Sequence, residues 1–75
     1  MEQYKFIKID NLEDIKKLVN IASSIEEGDV IVSKGALKIN AKSVLGLLSL
    51  NLANGVKITY PCNQELELFL QSFEF

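Results

Sequence analysis

The sequence predicts an α+β fold in which a four-stranded antiparallel sheet is covered on one face by three helices. Two observations indicate this. Short runs of β-branched and aromatic residues alternate with stretches in which apolar residues recur every three or four positions, as on one face of a helix. The predicted order of elements is β-α-β-β-α-β-α. A chain of 75 residues can build one small core, so we expect a single domain spanning residues 1–75.

The first half of the chain predicts a strand, a helix and a hairpin. Tyr4–Ile9 is rich in β-forming residues and predicts the first strand. Asn11 follows it and is placed to cap a helix. Val30–Val32 and Leu37–Ile39 predict two strands joined by a turn at Lys34–Gly35. The apolar positions that predict the helix are Leu12, Ile15, Leu18, Val19, Ala22 and Ile25.

The second half predicts a short helix, a strand and a last helix. Ser43–Asn51 is apolar on several sides and begins with Ser43 in a capping position. Val56–Tyr60 predicts the fourth strand, which Pro61 ends, and Gln64–Phe73 predicts a third helix with a narrow apolar stripe. So short a helix as Ser43–Asn51 is marginal in water on its own. We therefore expect packing to hold it, with some apolar side chains left exposed for a partner.

Composition disfavours several classes of function. The chain has eight lysines, no arginine and no histidine against ten acidic residues, a formal charge of −2. This balance disfavours nucleic-acid binding, which needs a concentrated basic surface. Without histidine there is no catalytic triad and no histidine-based zinc site. Asp10, Glu13 and Asp14 are better explained as a solvated helix start than as a metal site. We expect no metal and no cofactor.

Cysteine usage and hydropathy indicate the compartment. Cys62 is the single cysteine and cannot form an intramolecular disulfide. No apolar run approaches the length that spans a bilayer. We therefore expect a cytoplasmic protein that does not bind membranes.

The segment Ile39–Leu52, I-N-A-K-S-V-L-G-L-L-S-L-N-L, resembles the serine-containing segment of HPr, the histidine phosphocarrier of the bacterial sugar phosphotransferase system. The predicted order of elements is also that of the HPr open-faced sandwich. The resemblance implies a phosphotransferase-system protein. It also implies that Ser43 corresponds to a serine that a regulatory kinase phosphorylates in some bacteria. The directly matching residues are Asn40, Lys42, Ser43, Gly46, Ser49 and Leu50.

The active-site loop departs from the family pattern, in which a motif like G-[IL]-H-A-R-P-A opens the first helix. Leu18–Val19 and Ala22 match the apolar positions of that helix. Asn11 then occupies the position of the phosphorylated histidine, Glu13 that of the arginine and Asp14 that of the proline. An amide nitrogen is not nucleophilic, and two carboxylates repel a phosphoryl group. We therefore expect neither enzymatic nor phosphocarrier activity.

The predicted sites lie on the Ser43–Asn51 helix. Ser43 is an N-cap, and this role is compatible with regulatory phosphorylation. Leu45 and Leu48 share one helix face, and their family counterparts dock onto partner proteins. Leu52 is ambiguous, and we include it with Leu45 and Leu48 as a candidate protein-binding residue. The residues that better fit the sheet-facing side are Val44, Leu47 and Leu50.

Three hypotheses for function remain open at this stage. The first is a non-catalytic module that binds a protein of the phosphotransferase or carbon-regulation network, or a serine kinase, through the Ser43–Asn51 helix. The second is a phosphocarrier with another acceptor, such as Asp10 or Cys62. The third is a structural or self-associating domain that retains the fold alone. We favour the first, because the loop lacks both the nucleophile and the cation.

Overall fold

The computed structural model describes residues 2–75 and contains the seven predicted elements in the predicted order. A single turn of 3₁₀ helix, Leu52–Asn54, lies between the second helix and the last strand. The elements are β1 (Glu2–Ile7), α1 (Leu12–Ser24), β2 (Ile31–Lys34), β3 (Leu37–Asn40), α2 (Val44–Ser49), β4 (Val56–Pro61) and α3 (Gln64–Gln71).

The four strands form one antiparallel sheet in the order β1-β4-β2-β3. The register places Ile58 of β4 opposite Val32 of β2, and Val32 opposite Ile39 of β3. Side chains alternate between the two faces of a sheet, and Val32 and Ile58 are fully buried beneath the helices. The predicted α+β open-faced sandwich is confirmed.

One hydrophobic core lies between the sheet and the helices. α1 contributes Ile15, Leu18 and Ala22, and α3 contributes Leu66 and Leu70. Among residues 2–75, Tyr60 is the one buried residue whose side chain carries a polar group. Since the helices cover only one face, the other face of the sheet remains open to solvent.

Several element ends differ from the sequence-based prediction. β1 ends at Ile7 instead of Ile9, because the Lys8 amide donates to the carbonyl of Phe73 and the Ile9 amide to that of Leu52. α2 ends two residues early, because Asn51 adopts a left-handed backbone with φ of 54°. α1 and α3 also end earlier than predicted, at Ser24 and Gln71. None of the helices within residues 2–75 is long and apolar enough to cross a membrane.

Candidate functional site

The start of α1 is the position at which we expect the counterpart of the family's histidine. Asn11 has extended backbone angles, and its Oδ1 accepts a hydrogen bond from the Glu13 amide at 2.8 Å. Its carbonyl accepts from the Ile15 amide at 3.1 Å, which begins the helix. The predicted N-cap is confirmed. The Asn11 side chain thus holds the helix start together and presents no nucleophile to solvent.

Carboxylates surround this helix start. Asp10 and Glu13 are exposed and Asp14 is half-buried. Among residues 2–75, the ion pairs all involve Lys5, so none of these three carboxylates is neutralised by a salt bridge. An approaching phosphoryl group would therefore meet negative charge at a position where a phosphocarrier needs a cation.

Ser43 caps α2 in the same manner. Its Oγ accepts from the Gly46 amide at 3.1 Å, and its carbonyl accepts from the Leu47 amide at 3.0 Å. The side chain of Asn40 supports the preceding turn by accepting from the Lys42 amide. Ser43 itself is exposed. The cap predicted from sequence is confirmed, and the hydroxyl is accessible from solvent.

Gly46 determines how closely α2 lies against the sheet. A Cβ built at this position would be 2.5 Å from Cγ2 of Ile39 and 3.0 Å from Oγ of Ser43. Only a residue without a side chain lets the helix approach β3 this closely. The close approach turns Leu47 into the core, where it is fully buried.

The opposite side of α2 carries exposed leucines. Leu45 is 82% exposed and Leu48 is 47% exposed, whereas Leu50 is buried and Val44 half-buried. This division agrees with the orientation expected from the sequence. An apolar side chain as exposed as Leu45 gains nothing from this chain's own core. We name Leu45 and Leu48 the α2 leucine pair.

Leu52 does not belong with this pair. It is only 2% exposed, so its prediction as a protein-binding residue is wrong. The chain turns at Asn51 and continues as a 3₁₀ turn, which directs Leu52 into the core. Its carbonyl accepts from the amides of Ile9 and Gly55, both at 3.2 Å. Leu52 therefore joins the end of β1 to the segment after α2.

Leu12 belongs to the apolar stripe that predicts α1 from the sequence, but its side chain is exposed. It is 47% exposed, because the first turn of α1 extends beyond the part of the helix that covers the sheet. The hydrogen bond between Ile9 and Leu52 holds the start of α1 beside the segment that follows α2. Leu12 and Leu48 thus lie at the same end of the helical layer. The exposure of Leu12 could have been predicted from its position in the first turn of the helix.

A second cluster of polar side chains joins the sheet to α3. The Tyr60 hydroxyl donates a hydrogen bond to Oε2 of Glu67. Nζ of Lys5 lies 3.2 Å from Oε1 of Glu67 and 3.2 Å from Oε2 of Glu74. The hydrogen bond from Tyr60 lowers the pKa of Glu67. Burial, then the bond to Glu67, raises the pKa of Tyr60. This cluster stabilises the position of α3.

Cys62 lies away from the start of α1. It is exposed and lines a surface depression with Ser24 and Gly28, at the other end of α1. That helix has 13 residues and is therefore about 20 Å long, so Cys62 and Asn11 do not share a site. Within residues 2–75, no three side chains with metal-binding groups converge on one point.

The fold is that of the open-faced sandwich phosphocarriers, and the site consists of two capped helix starts with exposed leucines beside them. The family model described as "PTS HPr component phosphorylation site" matches residues 14–67, more than half of the chain, and the chain belongs to this family. The matched range starts at residue 14 and therefore does not include Asn11 or Glu13. A comparison with curated proteins finds no match to the chain.

Proposed function

We propose that this chain is a phosphotransferase-system protein that does not carry phosphate and acts instead by binding a protein partner through α2. The exposed α2 leucine pair is the observation that carries the proposal. The partner belongs to the phosphotransferase or carbon-regulation network, and the interaction takes place in the cytoplasm.

The start of α1 supports the loss of phosphotransfer. The sequence has no histidine, and Oδ1 of Asn11 is engaged in the helix cap. Repulsion between unit charges about 4 Å apart is worth roughly 1 kcal/mol even in water. Glu13 and Asp14 therefore oppose the arrival of a phosphoryl group. Asp10 is exposed beside the cap and makes no salt bridge among residues 2–75.

The surface of α2 supports a docking function. Leu45 and Leu48 lie three residues apart, on neighbouring turns of one helix face. Contiguous exposed apolar side chains with polar surroundings are typical of protein-interaction sites. Leu12 is also exposed, at the start of α1.

Ser43 supports regulation of the same contact. Its hydroxyl is exposed and lies two residues before Leu45. A phosphate on Ser43 would add a charge of about −1.5 to −2 at neutral pH. The added charge would stand beside an apolar contact, so phosphorylation by a serine kinase would change the affinity for the partner.

The test of phosphotransfer is an intact-mass measurement after two separate incubations. The first contains phosphoenolpyruvate and enzyme I, and we expect no added phosphate. The second contains ATP and the regulatory serine kinase, and we expect one phosphate on the parent chain and none on Ser43→Asn. Asparagine preserves the N-cap, so this variant separates loss of the hydroxyl from loss of the helix. Phosphate gained in the first incubation would contradict the proposal.

The test of docking is a pull-down of purified phosphotransferase-system proteins with the immobilised chain. Leu45→Asp and Leu48→Asp should each reduce capture at least tenfold. The matched control is Leu68→Asp, because Leu68 is 58% exposed on α3, away from the predicted docking surface. Equal capture by the parent and the two α2 variants would show that α2 is not the interface.

A further inference from the structure

The face of the sheet opposite the helices, here named the open face, carries aromatic rings and lysines. The register aligns Phe6, Lys57, Ser33 and Lys38 in one row across all four strands. A second row contains Tyr4, Thr59 and Ile31. Neither the α2 leucine pair nor the capped helix starts lie on this surface, so the proposed docking function leaves it without a role.

Three aromatic rings on this face are exposed. Tyr4 is 62% exposed, Phe6 50% and Phe75 65%. Tyr4 and Phe6 lie edge to face with their centroids 6.0 Å apart. The amide of Phe75 donates to the carbonyl of Phe6, which holds the C-terminal ring beside β1. We name these three rings the aromatic strip: Tyr4 and Phe6 are in contact, and Phe75 lines the same depression as Phe6.

Lysines lie directly on the aromatic strip. Nζ of Lys57 is 4.7 Å from the centroid of Tyr4, and Nζ of Lys8 is 4.6 Å from the centroid of Phe75. These cation–π contacts hold each ammonium group over one side of its ring, so a base can stack only on the other side. Lys38 stands two strands from Lys57, a separation of about 10 Å at the usual strand spacing.

Lysines outnumber carboxylates in the depression on the open face. Glu2 is the one carboxylate that lines the depression on the open face with Lys38 and Lys57. The net charge of −2 therefore understates how basic this face is. The smallest dimension of the molecule is 20 Å, whereas charges are screened over about 8 Å at physiological ionic strength. Carboxylates beyond the helical layer thus have little effect on a ligand at the open face.

We propose that the open face binds single-stranded nucleic acid, with bases stacking on Tyr4 and Phe6 and phosphates contacting Lys8, Lys38 and Lys57. Aromatic rings next to cations are the combination by which proteins bind single strands without reading their sequence. A duplex buries its bases, so it cannot use the rings. A second copy of the chain would set lysines against lysines, and an acidic peptide would use the charges but have no need for the aromatic strip.

The test is fluorescence anisotropy of labelled twelve-nucleotide oligouridine and oligothymidine with the full chain, starting at 20 mM salt. Three phosphate contacts predict a slope of about −2 for log K against log salt, since each contributes about 0.7 on a single strand. Lys57→Gln should weaken binding severalfold and reduce the slope by about 0.7. Tyr4→Leu should weaken binding about fivefold and leave the slope unchanged.

Matched controls separate this surface from general electrostatics. Lys16→Gln removes the same charge from the exposed side of α1 and should leave the affinity and the slope unchanged. Leu45→Asp should also bind the oligonucleotides as the parent does, so a failure of the docking proposal would be seen separately. Stronger binding of oligouridine than of oligothymidine would identify RNA as the preferred form.

Three outcomes would overturn the proposal. One is no anisotropy change at millimolar protein and 20 mM salt. Another is equal loss of binding in Lys16→Gln and Lys57→Gln, which would show a diffuse charge effect. The third is displacement of the oligonucleotide by polyglutamate at equal charge concentration, which would assign the face to acidic polypeptides.

Discussion

The hydroxyl of Tyr60 donates a hydrogen bond to Oε2 of Glu67, and this bond joins the buried side of β4 to α3. Tyr60 is 1% exposed, so its hydroxyl has no access to bulk water. Nζ of Lys5 contacts Oε1 of Glu67, so both carboxylate oxygens of this residue have a partner. The last helix is therefore held on the sheet by polar contacts as well as by Leu66 and Leu70.

Tyr60→Phe tests how much this bond contributes to stability. The variant keeps the ring and removes only the hydroxyl, so we expect the free energy of unfolding to fall by about 1.5–3 kcal/mol, as for a hydrogen bond to a charged group. Urea denaturation followed by far-ultraviolet circular dichroism measures the change. The control is Tyr4→Phe, which removes a hydroxyl from an exposed ring and should alter stability by less than about 0.5 kcal/mol. Equal stability of the parent and Tyr60→Phe would contradict the assignment.

The same cluster predicts how stability depends on pH. The folded pKa of Glu67 is lowered below an unfolded value of about 4.3. Its contribution is therefore present above about pH 4.3 and is lost as the pH falls through the folded pKa. The folded pKa values of Tyr60 and Lys5 are raised. Both residues therefore stabilise the fold at pH values below their unfolded pKa values of about 10. This stabilisation is lost as the pH rises through their folded pKa values.

Urea midpoints measured from pH 3 to pH 11 check this dependence. We expect a plateau between about pH 5 and pH 9, with a decline on each side of it. Glu67→Gln keeps an acceptor for Tyr60 but does not titrate, so its acid decline should be shallower than that of the parent. An acid decline with the same slope in both proteins would show that other carboxylates cause it.

Leu52 and Leu48 provide a paired test of burial. Leu52→Ala removes a core side chain and should cost about 2–5 kcal/mol, the range for leucine truncation in a core. Leu48→Ala removes a side chain that is half exposed, so its cost should be well below that of Leu52→Ala. Chemical denaturation of the two variants against the parent measures both values. Similar losses of unfolding free energy in the two variants would contradict the burial of Leu52 and would support its prediction as a surface residue like Leu48.

Leu12 and Leu52 also show what periodicity can and cannot predict. Apolar spacing, together with runs of β-forming residues and the capping residues, predicted the three α-helices and the order of all seven elements. The spacing of apolar residues predicts on which face of a helix a side chain lies, but it does not predict whether other elements cover that face. Leu12 lies on the core-facing stripe yet beyond the core, and Leu52 follows a left-handed residue that redirects the chain. The contact between Lys5 and Glu67 links residues far apart in sequence, so it depends on tertiary packing that no local pattern contains.

The two helix caps were the part of the candidate site that sequence predicted best. Asn11 and Ser43 each precede a helix and carry a short side chain that can accept from a nearby amide. Such hydrogen bonds are local, so three or four residues of sequence contain all the groups involved. The docking role of Leu45 and Leu48 remains a prediction, because their exposure does not identify a partner.

Restoring the family residues at the start of α1 tests why this chain would not carry phosphate. Asn11→His supplies a nucleophile, but Glu13 still repels the phosphoryl group, so we expect little phosphate transfer from phosphoenolpyruvate and enzyme I. Asn11→His combined with Glu13→Arg replaces repulsion by attraction. Two effects of roughly 1 kcal/mol each predict a gain of at least tenfold in transfer rate over the single variant.

Intact-mass measurement at successive times gives the two rates, and an acid wash identifies a phosphohistidine by its loss. The control is Asn11→His with Glu27→Arg, which makes the same charge reversal at an exposed residue beyond the far end of α1. If the control and the variant with Glu13→Arg accept phosphate at the same rate, the net charge of the chain determines the transfer rate. If neither double variant exceeds Asn11→His, then the enzyme I contact is itself absent, and the nearby carboxylates are not the limiting factor.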